Sequence, residues 1–320
     1  MRQARVQRHE IEADLVALRA EVADPRAGIF GPGTMAWEVS REAAVFLGAG
    51  RAALLQLAHP FVAGAISEHS VTRSDPAQRF RATFQRIFRM VFGDLDEAVA
   101  AAREVYATHS KIRGALDEDV GRFAVGERYD ARDREAKVWV LATLWDTSLF
   151  VFDRVVRPLT RAEREQFYAE SRRFARLFGV ADDLPATYAD FERYVERTLA
   201  GDMLGVSRRA AEIGRVILRP QNLVGRIVRD DYGTFTAHLL PERLARGFGL
   251  DRGGASGQKR YETILMTTRR LLPHLPDHAR FIPAYIEAVR RIEGKTGRDR
   301  LGELVSRLYV GQARLGGDRR

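Results

Sequence analysis

Histidine is the scarcest chemically versatile side chain in this sequence, and its placement is uneven. The seven histidines are His9, His59, His69, His109, His238, His274 and His278, and three of them fall within the stretch 59–109. His109 lies on a predicted helix over 95–113 whose apolar positions are Val99, Ala102, Val105, Tyr106 and Ile112. Helical spacing puts it on or beside that face. An imidazole turned into an apolar stripe needs a partner for each nitrogen. A metal on one nitrogen and an acceptor on the other would satisfy it, and so would two ordinary hydrogen bonds in a core. Spacing leaves both readings open. On the preceding predicted helix Arg79 and Thr83 share one face, next to an apolar strip of Phe80, Phe84, Ile87 and Phe88. A guanidinium and a hydroxyl bordering aromatic rings suit a planar ligand that carries carboxylates. The same pattern also describes an amphipathic helix with a solvated arginine. His59, ahead of Pro60, and His69, ahead of Ser70, could line such a ligand, bond its acidic edge or donate a proton, or could simply cap local structure. Asp146, next to Trp145 in an apolar helix, calls for a cationic partner such as Arg51 or Arg79. His274 and His278 flank Pro276 and read as loop residues.

Composition narrows the chemistry further. The 320 residues contain no cysteine, which removes disulfides, iron–sulfur clusters, thiolate-ligated haem and cysteine nucleophiles. Any metal must therefore be held by His, carboxylate, Tyr, Lys or backbone oxygen. Hydrophobic residues at 45% and charged residues at 30% are a globular composition with enough apolar mass to enclose a cofactor. The net charge of +9 invites a nucleic-acid reading. However, lysine occurs only at positions 111, 137, 259 and 295, and the arginines are spread along every segment among acids. No nucleic-acid motif accompanies them, and no nucleic-acid partner is expected. The first 24 residues are charged and amphipathic without an apolar core, which predicts a cytoplasmic protein, with peripheral membrane contact left open. The most apolar stretch, 43–66, carries Arg51, Gln56, His59 and Pro60 and reads as a buried helix and its continuation, not a membrane span. Nucleotide-binding, nucleophile-elbow and zinc-protease signatures are absent, and so are the Glu-x-x-His repeats of a di-iron site. The pair Gly48 and Gly50 reads as a place of close helix or cofactor approach.

The elements that must position these residues are helical throughout. The periodicity predicts a leading helix over 3–23, a glycine-proline turn over 28–33, and one long helix from Thr34 to Leu57. Ser74, Asp75 and Pro76 open a helix that stops at Gly93; Asp94 caps the next, which Gly114 closes. A long helix spans 132–157, and Thr160 with Glu163 forms a capping box for another that Gly179 ends. Further helices are predicted near 187–200, 206–217, 222–231, 239–246, 258–272, 279–293 and 299–311, with 247–257 as the longest loop. Strand signals are almost absent and no repeat is visible. The fold expected is a single all-α domain over 1–320.

One succession of motifs is distinctive as a set. It runs from Arg51-Ala-Ala-Leu-Leu-Gln-Leu-Ala-His59-Pro60 through Val62-Ala63 and His69-Ser70 to Asp75-Pro76. Arg79-x-x-x-Thr83, Val91-Phe92-Gly93 and His109 with Gly114 follow, then Tyr129-x-Ala131 and Trp139-Val140-x-Ala142-Thr143-Leu144. In order and spacing it resembles the family that contains the fungal mycophenolic-acid pathway oxygenase (the mpaB type) and the catalytic domain of bacterial rubber oxygenases, the latex-clearing proteins. The resemblance covers roughly residues 30–205 and implies an all-α fold around a b-type haem. By position it makes His109 the iron ligand and Arg79 and Thr83 the haem contacts. Around a haem so held, His59 would be a further lining residue and His69, with Arg79, a candidate for the reaction centre, the alternative for both histidines being local capping and packing. In the rubber oxygenases a lysine stands immediately before the threonine; here Ala82 stands there, so the sixth iron position is expected to be open or water-filled. Glu68 is near, but out of register with, the carboxylate used in rubber cleavage. The resemblance therefore implies a haem-dependent oxidoreductase, of oxygenase or peroxygenase type, using dioxygen or peroxide on a hydrophobic small molecule. A protein that senses, stores or transfers haem without turnover, and a scaffold that has lost the cofactor, are the alternatives.

Overall fold

The computed structural model describes residues 5–68, 76–218 and 229–295, with side chains described at 5–67, 83–218 and 232–295. The architecture is all-α, with one small two-stranded sheet. Its centre is α7 (Arg134–Val155), started by Asp133, whose carboxylate accepts the Ala136 N–H at 2.9 Å. Thirteen of its side chains are buried, because α2 (Met35–Arg41), α3 (Ala49–Leu57) and α8 (Arg161–Arg176) surround it together with α13 (Gly254–Leu271). A helix covered from several sides can be apolar nearly all round. The first helix, α1 (Arg8–Glu21), lies across α6 (Leu95–His109) and α8, burying Ile11, Leu15 and Leu18. Arg134 holds it by bonding both Glu10 and Asp183.

The hairpin of α5 (Pro76–Phe92) and α6 is the part that carries the predicted site. It turns at Gly93-Asp94, where Asp94 accepts the Glu97 N–H at 2.8 Å and Glu97 reaches back to the Asp94 N–H. The turn is packed too tightly for a side chain. Gly28 has φ +77°, and a Cβ there would come within 2.2 Å of the Gly93 carbonyl oxygen. Two distant groups satisfy the last carbonyls of α5. Trp37 Nε1 donates to Val91 O at 3.0 Å, and Arg291, on α14 (Pro283–Ile292), donates to Phe92 O at 2.6 Å. The open end of a helix is thereby fixed from two sides.

The long helix expected over 34–57 is interrupted. After α2 the chain bends at Glu42, runs as a 3₁₀ turn over Ala43–Gly48, and resumes as α3. The cause is tertiary. Glu42 is 1% exposed and takes a bidentate bond from Arg280, and the Arg41 carbonyl accepts the Ile282 N–H. Gly48 then lets the 3₁₀ turn press on α7, where a Cβ would meet Thr147 and Val151 at 2.6 and 2.7 Å. Two other expectations are corrected. The loop placed at 247–257 is shorter, because α13 already begins at Gly254. The stretch after His109 pairs β1 (Arg113–Ala115) antiparallel with β2 (Arg128–Asp130), with Gly114 opposite Tyr129. The helices expected over 222–231 and 299–311 fall wholly or mostly outside the described residues.

The remaining elements close the other side of the core. α4 (Pro60–Glu68) meets α10 (Arg208–Ile217) and the β1–β2 pair, α9 (Tyr188–Ala200) packs on α8, and α11 (Arg229–Leu239) lies against α13 and α3. Among the described residues no single helix is long and apolar enough to cross a membrane. Ala43–Leu57 and Pro60–Ser67 pass that test only as a pair, bent by 98°.

Candidate functional site

His109 is the last residue of α6 and continues its buried stripe of Ala98, Val99 and Ala102 at helical spacing. The residue as a whole is half-buried, yet its Nδ1 is sealed from solvent and no described group bonds it. Burial is the largest influence on the ring. Together with the charges of Lys137 and Arg86 it pushes the imidazole down to about 3, against a smaller opposing pull from Asp130. The ring is therefore neutral across the physiological range, which is the form that donates to a metal.

The groups around it are held firmly. Asp130, 2% exposed, accepts bonds from Arg132 at 2.9 and 2.8 Å and an ion pair from Arg5 at 3.6 Å, so its carboxylate is committed. Lys137, 6% exposed, donates to the Phe178 carbonyl at 3.2 Å, and burial lowers its ammonium to about 8. From α5, Arg89 donates to both oxygens of Glu104 at 3.0 and 2.9 Å and binds the two helices together. Of the apolar strip expected beside Thr83, Phe84, Ile87 and Phe88 pack on or into the core, and Phe80 lies outside the described side chains. Phe84 packs on Phe88 and on Phe46 of the 3₁₀ turn, with ring centroids 5.8 and 5.1 Å apart. Thr83 itself is exposed. Arg79 and Ala82 lie on α5 outside the described side chains, and His69 lies outside the described residues altogether.

His59 has a different setting. It is 0% exposed, its Nδ1 accepts the Phe61 N–H at 3.3 Å across the start of α4, and the rings of Phe61 and Phe123 pack against it. Burial pushes it down to about 3. Its Nε2 is also unpartnered. Full enclosure makes His59 a structural cap first, whereas His109 keeps part of its surface open to solvent. Asp146 pairs with Arg51 at 2.6 Å, and Arg51 also donates to Thr147 Oγ1 and Leu239 O, so this buried arginine is spent on the fold. Trp145 is buried against Tyr168 and Phe191. His238 is fixed by Arg252 O at 2.9 Å and stacked on Tyr261.

Among the described residues no three His or carboxylate side chains converge to hold a bare metal ion. An open groove of about 510 Å³ runs along α8 past Arg172 and Tyr188, and none of the predicted site residues lines it. Sequence reasoning missed Lys137, Arg86 and Asp130 as neighbours of His109. Arg86 alone left a signal, since it follows Arg79 and Thr83 at i+7 on one stripe.

Comparison with known proteins gives one match. The family model described as ER-bound oxygenase mpaB/B′/rubber oxygenase, catalytic domain, matches residues 37–272. No curated protein and no solved structure matches the chain.

Proposed function

Because the chain belongs to the family of mpaB-type and rubber oxygenase catalytic domains, we propose that it is a haem b-dependent oxidoreductase of the oxygenase type, acting on a hydrophobic small molecule, with His109 as the protein ligand of the iron. The observation that carries this reading is the state of His109: neutral, only partly buried as a residue, and with a buried nitrogen that no described group bonds. His278 also has an unpartnered Nδ1, but it lies beyond the matched residues, on a single helical turn.

The donor set suits a porphyrin. A metal held by one imidazole must bring its other ligands with it, and a haem does. A haem held by His109 would supply the activation of dioxygen or peroxide. The chain's own residues do the rest. Burial, helped by the charges of Lys137 and Arg86, keeps the His109 lone pair free of a proton. Arg79 and Thr83, on one stripe of α5, suit the acidic edge of the macrocycle, while Phe46, Phe84 and Phe88 offer an apolar wall to the ring or to an oily substrate. Ala82, where the rubber oxygenases carry a lysine, has no group able to bind metal.

The test is optical. Protein reconstituted with haem should show a Soret band that His109→Ala abolishes and His59→Ala retains. Consumption of dioxygen or peroxide with a panel of unsaturated lipids should then reveal turnover. A colourless reconstituted protein, or an unchanged spectrum in His109→Ala, would overturn the reading. An intact band with no turnover on any substrate would assign the protein to haem storage or sensing.

A further inference from the structure

Beyond its charge acting on His109, Arg86 has no assigned role, and its surroundings are unusual for a surface arginine. It lies on the same side of α5 as Arg79 and Thr83, the three falling within an arc of roughly 60° at 100° per residue. Its side chain is 38% exposed, at the rim of the α5–α6 hairpin. Its described carboxylate contact is long, with Nε 4.0 Å from Glu104 Oε2, and that carboxylate already takes two short bonds from Arg89. The Arg86 guanidinium is nevertheless near enough to His109 for its charge to help hold the imidazole neutral. A weakly engaged cation thus sits at the water's edge within electrostatic reach of His109, whose Nδ1 no described group bonds. The Phe84–Phe88 strip runs along the neighbouring face of the same helix.

A haem carries two propionates and needs a partner for each, and the reading of α5 so far provides one arginine. We propose that Arg86 is the second carboxylate anchor of this site, receiving a haem propionate at the rim while His109 takes the iron. The assignment rests on the haem reading above. A bidentate guanidinium–carboxylate bond fits Arg better than Lys, because the planar fork matches both oxygens. The competing role is purely structural, with Arg86 serving only to tie α5 to α6 through Glu104. That role belongs chiefly to Arg89.

The experiment titrates the full-length protein with hemin, following the Soret band, and times hemin transfer to excess apomyoglobin. Arg86→Gln should weaken affinity about tenfold and speed transfer to match, the size expected for losing one hydrogen-bonded charge pair. Arg86→Lys should recover part of the loss. Arg89→Gln, which breaks the tighter Glu104 pair but leaves Arg86, should change hemin affinity less than threefold. The deciding probe is the dimethyl ester of hemin, whose carboxylates are masked; wild type and Arg86→Gln should bind it equally. If Arg86→Gln binds hemin as tightly as wild type, or loses the ester by the same factor, the assignment fails while the haem reading stands. If wild type takes up no hemin, both fall together.

Discussion

His59 gives the sharpest test of how the core was built, because its cost can be worked out from one hydrogen bond and its burial. Its Nδ1 accepts the Phe61 N–H, and only a neutral ring can do so. Burial lowers its folded pKa to about 3 from 6.5. Below pH 6.5 the unfolded chain therefore takes up a proton that the native state refuses. Stability that is complete above pH 6.5 is lost as pH falls toward 3, at about 1.4 kcal/mol per pH unit. His109 is lowered in the same way and adds a second, equal slope. From pH 6.5 to 5 the pair should cost roughly 4 kcal/mol, half of it from His59. Asparagine at position 59 keeps an acceptor for the Phe61 N–H and cannot titrate. His59→Asn should lose about 1 kcal/mol at pH 7.5 through poorer packing, yet halve the acid slope, so that it overtakes wild type at about pH 5.8. Urea denaturation in half-unit steps from pH 7.5 to 5 measures this directly. Parallel curves for variant and wild type would refute the argument, since the buried ring would then not be excluding a proton.

Three further outcomes follow from the same structure. Arg51→Met should cost roughly 3 kcal/mol in urea denaturation, because it strands the Asp146 carboxylate and the Leu239 carbonyl; a loss below about 1 kcal/mol would show that water replaces the guanidinium. Gly28→Ala should destabilise by more than about 2 kcal/mol, as its Cβ collides with Gly93 O, whereas Gly249→Ala, at a similar φ of +69° but with open space, should cost about 1 kcal/mol. Ala82→Lys should convert the ferric spectrum of the reconstituted protein from high-spin or water-ligated to six-coordinate low-spin; no spectral change would place position 82 away from the iron.

Much of the scaffold was legible because the signals are local. Pro76, Asp94 with Glu97, and Thr160 with Glu163 mark helix starts through bonds that span three residues, and the structure shows the caps at 94 and 160 in place. The break in the helix expected over 34–57 was not legible. It is imposed by Arg280, 238 residues away from the Glu42 it clamps, and no periodicity near position 42 reports that partner. The β1–β2 pair was equally hidden, since three residues a side carry no alternation to read. The partnership of Asp146 with Arg51 could be anticipated, because a carboxylate in an apolar helix needs a cation wherever the fold supplies one.

The site divides along the same line. Residue type and spacing singled out His109 and the aromatic strip on α5 as candidates and left the core reading open, the family resemblance favouring the site; the electrostatic surroundings of His109 arise only on folding. Asp130 is near enough to raise the imidazole's affinity for protons, yet Arg132 and Arg5 occupy its carboxylate, and its pull is outweighed by Lys137 and Arg86. Neither cation is stranded: Lys137 donates to the Phe178 carbonyl, and the Arg86 side chain is 38% exposed at the rim. Burial does most to keep His109 neutral, and the charges that assist stand 23 positions before it and 28 after it, where only the packing of α5 and α7 can bring them to bear. A stripe read along α6 alone reports the apolar face and none of these charges, which is why the residue was visible in the sequence and its protonation state was not.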